Sequence, residues 1–150
     1  MKENKVINNF IYLNKNLNFG ELNENTLILE FSDINFSIYN KVSVFIKNIK
    51  TREVFKCSSF IRNTEINVNL DSIKHLCTDY EYIILIRAEL NNSSYIIYPK
   101  FTCKSKTYIS NNSSKNNHRW FIRISENGEL RLSTIFIFPN QDNVKENISF

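Results

Sequence analysis

Five side chains hold all the thiol and imidazole chemistry available to this chain: Cys57, Cys77, Cys103, His75 and His118. His75 and Cys77 stand two apart, and the others are scattered. A tetrahedral zinc site draws three or four such ligands, usually in close pairs. The chain has no C-x-x-C and no H-x-x-x-H, so these residues read as buried small hydrophobes and surface imidazoles. A Cys–His nucleophile pair could be drawn from Cys77 or Cys103 with His118, but no flanking motif supports one. Among carboxylates, Glu81 and Glu89 share a strand but lie eight residues apart, beyond the roughly 9.5 Å at which a glycosidase pair still works. Glu126 and Glu129 flank a turn, where solvated charges sit. Gly20 and Gly128 are the only glycines, too few for a phosphate-cradling loop. The expectation is a protein with no catalytic residue, no metal and no cofactor.

One constellation remains. His118–Phe138 reads HRWFIRISENGELRLSTIFIF, two alternating runs around Glu126-Asn127-Gly128, which is how a β-hairpin is written. A two-residue Asn127-Gly128 turn would set Ile124 against Arg131 and mix apolar with charged groups on both faces. A three-residue loop with Gly128 left-handed and bulged instead pairs Ile124 with Leu130, Ile122 with Leu132 and Trp120 with Thr134. That register leaves one apolar and one polar face, so it is the one expected. The polar face then gathers Arg119, Phe121, Arg123 and Arg131, with Arg123 opposite Arg131. Like charges so opposed repel unless something neutralises them. Glu129 can do so diagonally, which makes this an ordinary solvated face. Otherwise the face is a binding surface for an anion, a sugar phosphate or a protein partner. Trp120, the sole tryptophan, is expected in the core and not as a sugar-stacking platform.

The elements that would position these residues are short strands. Thr26–Phe31 alternates through Leu27, Leu29 and Phe31; Lys41–Ile49 through Val42, Val44 and Ile46; Glu65–Leu70 through Ile66, Val68 and Leu70. Glu53–Ile61 returns the chain after a turn at Lys50–Arg52. Tyr80–Leu90 is the most apolar run and reads as a central strand, with Tyr82, Ile84, Ile86 and Ala88 on one face and Ile83 and Leu85 on the other. Tyr95–Cys103 follows, its Pro99 pointing to an edge or a bulge. Val6–Leu13 reads as a first strand and Lys15–Asn25 as polar turn. Asp33–Asn40 reads as a strand or a loop crossing between sheets. Asp71–Cys77 reads as a helical turn capped by Asp71. Lys104–Asn117 reads as a polar loop, and the chain trails off after Pro139. Asparagine stands in for scarce glycine at turns such as Asn91–Ser94 and Asn111–Ser114.

Eight or nine strands about ten residues apart, with little helix, indicate an all-β fold: an antiparallel β-sandwich, Ig-like or jelly-roll-like, with a closed barrel as the alternative. A single alanine, Ala88, argues against helix, and 13% aromatic content argues for strand. At 150 residues the chain is expected to form one domain, with its core over about 20–138 and frayed ends at 1–5 and 140–150. The net charge of +4 is mild and not gathered into a basic run, so nucleic acid is an unlikely partner. No segment has the apolar length of a membrane span or a signal peptide, and the odd cysteine count fits reduced thiols, so the expected setting is cytoplasmic. The wealth of Asn, Ile, Lys and Phe suggests a low-GC genome.

The order of motifs from Leu27-x-Leu29 and Val42-x-Val44-x-Ile46 through Ile66-x-Val68-x-Leu70, Tyr80-x-Tyr82-Ile-Ile-Leu, Tyr95-Ile-Ile-Tyr-Pro and Asn127-Gly-Glu-Leu-Arg-Leu132 resembles the accessory β-sandwich regions of bacterial teichoic-acid and capsule-type glycosyltransferases. The likeness covers roughly residues 20–137 and lies in strand rhythm. It implies a non-catalytic helper that associates with itself, a protein partner, or an anionic or glycan polymer. A carbohydrate-binding module and a viral or phage structural protein are the other expected classes.

Overall fold

A computed structural model of the chain describes residues 10–73, 80–101, 107–109, 118–136 and 148–149, with 107–109, 118, 136 and 148–149 described in their backbone only. Seven strands form its body: β1 (Phe10–Asn23), β2 (Thr26–Phe31), β3 (Lys41–Asn48), β4 (Val54–Arg62), β5 (Glu65–Asn69), β6 (Tyr82–Leu90) and β7 (Ser93–Lys100). Three of their connections are two-residue hairpin loops, and the first loop residue of each is left-handed: Glu24, Asn63 and Asn91, at φ of 55° to 56°. Such loops demand that backbone to match strand twist. Asparagine fills two of the three positions, glycine none.

The fold is all-β, but it is not a sandwich. The strands pair in the cyclic order β1-β2-β5-β4-β3-β6-β7 and back to β1, closing a seven-stranded barrel. Every pairing in the ring is antiparallel except β1 with β7. Closure depends on two strands that change partner halfway. In β1, Phe10–Asn16 pair with β7 and Leu17–Asn23 with β2, with a bulge between Leu17 and Phe19. In β4, Val54–Cys57 pair with β3 and Ser58–Arg62 with β5. A strand that serves two sheets bends at the change of partner and joins them at a corner, so no open edge is left between them. The polar stretch Lys15–Asn25 that suggests a turn is therefore mostly strand, the second half of β1.

Further strands extend the ring. β8 (Thr107–Ile109), β9 (His118–Ile124) and β10 (Leu130–Phe136) form a ribbon that joins β6 through β10, and β11 (Ile148–Ser149) pairs with β1. β8 lies within the expected polar loop and β11 within the expected tail. Asp33–Asn40 is a connection between the two sheets, with a 3-10 turn at Phe36–Ile38. The helical turn expected at 71–77 is, in its described part, a 3-10 turn at Leu70–Ser72; Lys74–Asp79 lie outside the described residues. The residue that caps this 3-10 turn is Asn69. The Asn69 side chain accepts from the Asp71 N–H at 2.9 Å, while the Asp71 carboxylate accepts from Asn25 Nδ2 at 2.8 Å.

One apolar core fills the interior. Leu27, Leu29 and Phe31 of β2, Val44 and Ile46 of β3, Ile66 and Val68 of β5, and Tyr82, Ile84, Ile86 and Ala88 of β6 are all buried in it. The strand read as central is so: β6 pairs with β3 along one edge and shares the other between β7 and β10. Pro99 sits where β7 has left β6, so its missing N–H breaks no β6 ladder bond.

Candidate functional site

The hairpin has the expected register, with Leu130 opposite Ile124, Leu132 opposite Ile122 and Thr134 opposite Trp120. Its turn closes through the Gly128 N–H donating to the Ser125 carbonyl at 2.9 Å and the Ser125 N–H donating to the Glu129 carbonyl at 3.0 Å. Gly128 has φ of +83°, and a Cβ there would collide with the Phe101 carbonyl oxygen. That approach lets the Phe101 N–H donate to the Gly128 carbonyl at 2.8 Å, anchoring the turn to the end of β7. Trp120 is 3% exposed and belongs to the core, so it offers no platform for a sugar.

The polar face of the hairpin carries Arg123 opposite Arg131, as the register demands. Their repulsion is relieved by two carboxylates, the expected Glu129 and one from outside the hairpin. Glu81, just ahead of β6, accepts from Arg123 Nη2 at 2.8 Å and Nε at 3.1 Å, and its Oε1 lies 3.5 Å from Arg131 Nη1. Glu129 accepts from Arg131 Nη2 at 2.8 Å and Nε at 3.1 Å, and its other oxygen lies 3.9 Å from Lys100 Nζ. The hydrogen bonds to Glu81 hold the Arg123 guanidinium above its ordinary pKa, with partial burial working against them. Arg119 and Phe121 lie further along β9: the Arg119 carbonyl accepts from the Thr134 hydroxyl at 3.2 Å, and Phe121 pairs with Ser133. The four expected residues thus share a strand pair, and two of them clamp the ribbon to the barrel. Among the described residues two pairs join β10 to β6, so the clamp supplements a short ladder.

Glu89, the other carboxylate weighed as an acid–base partner, sits with its Oε2 3.4 Å from Arg87 Nε. Among the described residues no group of three His, Cys, Asp or Glu side chains could hold a metal ion. His75, Cys77 and Cys103 lie outside the described residues, and His118 is described only by its pairing with Phe136. Cys57 is buried in the core, and burial pushes its thiol up to about 12 despite a hydrogen bond with the Ile46 backbone. A thiol so held is a small hydrophobe and not a nucleophile at neutral pH.

A second surface has no counterpart in the sequence reading. On the outer face of the barrel a groove of about 180 Å³ is lined by Phe10, Phe45, Val54, Leu85, Arg87 and Ile96, from five different strands. Register brings them together: Phe45 stands opposite Leu85, and Ile96 opposite Arg87. Leu85 points outward, away from the core face of β6, yet is buried by its neighbours. The Arg87 guanidinium lies 5.2 Å from the Phe10 ring centre, and its Nε is buried without an aligned hydrogen bond. Val54 at the margin is 51% exposed, and Tyr12, beside Ile96 on β1, is 64% exposed. The alternation in β6 signals an outer apolar pair, Ile83 and Leu85, but nothing in the sequence says which strands flank it.

No helix among the described residues is long and apolar enough to cross a membrane. No family model matches the chain, and no curated protein matches it.

Proposed function

We propose that this protein is a non-catalytic interaction module whose contact surface is the outer-face groove. One observation carries the reading: apolar side chains from five strands converge outside the core on a dent of about 180 Å³, with Val54 half-exposed at its margin. Contiguous apolar surface, unlike apolar residues scattered singly, marks contact sites. The carboxylates that could serve an acid–base reaction are engaged instead, Glu81 by arginines of the hairpin and Glu89 beside Arg87. A helper role in bacterial surface-polymer assembly is one setting for such a module, taken from the resemblance of its strand rhythm to accessory regions of those transferases.

The test is nuclear magnetic resonance on the isotope-labelled chain, titrated with short peptides that place one phenylalanine among acidic, neutral or basic flanks. Shifts confined to Phe45, Val54, Leu85 and Ile96 are expected with at least one class. If every peptide leaves those signals unmoved, the groove is not a contact surface.

A further inference from the structure

We infer that the groove seats a segment of a partner polypeptide in which one aromatic or large aliphatic side chain is flanked by aspartate or glutamate. This rests on the interaction-module reading and adds the chemistry of the partner.

Size sets the first limit. The groove holds about 180 Å³, whereas sites for cofactors and metabolites run to about 300–1,000 Å³. A cavity of roughly 150 Å³ accepts one benzene ring. The groove therefore fits a single ring or branched aliphatic group. Its walls are apolar apart from Arg87, so the seated group is a hydrocarbon.

Charge sets the second limit. Lys47 stands opposite Val54 and Lys56 opposite Phe45, so each lysine neighbours a lining residue. Neither forms an ion pair among the described residues. Two acids neighbour the lining: Glu53, next to Val54, and Glu89, which is already faced by Arg87 at 3.4 Å and by Lys41 across the ladder. The rim is thus net cationic around an apolar floor. A complementary partner offers carboxylates on either side of its anchor. A bare polyanion would satisfy the lysines and leave the floor empty. A second copy meeting this face about a two-fold axis would lay one cationic rim on another.

The test is fluorescence anisotropy on the full chain with three labelled nonapeptides: a central phenylalanine among aspartate and glutamate, the same with a central alanine, and the same phenylalanine among lysines. The acidic phenylalanine peptide is expected to bind about tenfold or more tighter than the other two. The double variant Lys47→Glu, Lys56→Glu should weaken it about tenfold and invert the preference between acidic and basic flanks. Val54→Asp, at a half-exposed site, should weaken it several-fold. Circular dichroism and Trp120 fluorescence verify that each variant is folded. Equal binding of the alanine peptide would reduce the effect to polyanion attraction and overturn the inference. Tighter binding of the basic peptide would overturn the charge argument while leaving the interaction module standing. Binding to phosphatidylserine vesicles without binding to the acidic peptide would make the face a membrane contact. Binding of none of the three peptides would overturn the inference, and the module falls with it only if the neutral-flanked phenylalanine peptide also leaves the groove signals unmoved.

Discussion

The Glu81 carboxylate holds the Arg123 guanidinium through both of its oxygens, at 2.8 and 3.1 Å, across a gap of 42 residues in the chain. This two-point contact adds to a two-residue β6–β10 ladder, the Phe101–Gly128 hydrogen bond and the shared apolar core in binding the ribbon to the barrel. A carboxylate and a guanidinium matched in this way form one of the stronger charge-assisted pairs. Side-chain exposure of 36% and 45% places it in reach of solvent screening, so its contribution is modest.

Glu81→Arg is therefore expected to destabilise the chain by about 1 kcal/mol, because it sets a third positive charge beside Arg123 and Arg131. Adding Arg123→Glu should recover part of the loss. Urea denaturation of the two single variants and the double variant checks this, and the coupling should shrink as salt is raised. Full additivity would mean that the pair is decorative.

Gly128→Ala should cost more than a surface change, roughly 1–3 kcal/mol, because it combines a left-handed backbone with a collision. The added Cβ meets the Phe101 carbonyl oxygen, so the turn must withdraw from the end of β7. Amide exchange at Phe101, whose N–H donates to Gly128, should quicken in the variant. Unchanged exchange there would count against the anchoring role of the turn.

Ile122→Ala removes a fully buried side chain shared by hairpin and barrel, and should cost about 2–5 kcal/mol. Phe60→Ala removes a larger side chain that is 62% exposed on β4, and should stay within about 0.5 kcal/mol of the parent. Thermal melts of the two variants separate core from surface. A comparable loss from Phe60→Ala would reveal that this ring is covered.

Alkaline pH should weaken the fold through Cys57. Its thiol is raised from 9.0 to about 12 by burial, so the folded chain keeps a proton that the unfolded chain releases. The contribution is whole below about pH 9 and is lost as pH climbs towards 12. Tyr39 and Tyr98, both raised by burial, push the same way at higher pH. Replacing Cys57 by valine should flatten the decline between neutral pH and about pH 10.5 by on the order of 1–2 kcal/mol. With Cys77 and Cys103 changed to serine, the remaining thiol should resist a disulfide reagent at neutral pH until urea is added.

Alternation along the chain was enough to determine the all-β character, the buried face of β6 and the register of the β9–β10 hairpin. Each follows from whether odd or even positions are apolar, which is a local property. The hairpin register in particular follows because a two-residue Asn127-Gly128 turn would set Ile124 against Arg131 and Arg123 against Leu132, whereas the three-residue loop keeps apolar with apolar. Alternation says which way a side chain points but never which strand lies beside it. The tertiary structure alone decided that β1 and β4 change partners midway and close a barrel, since a bent strand and two short ones have the same inward and outward pattern. It also decided that the arginine face is answered by Glu81, 42 residues away. Above all it decided the groove, because Phe10, Phe45, Val54, Leu85, Arg87 and Ile96 are neighbours only through the pairing of five strands.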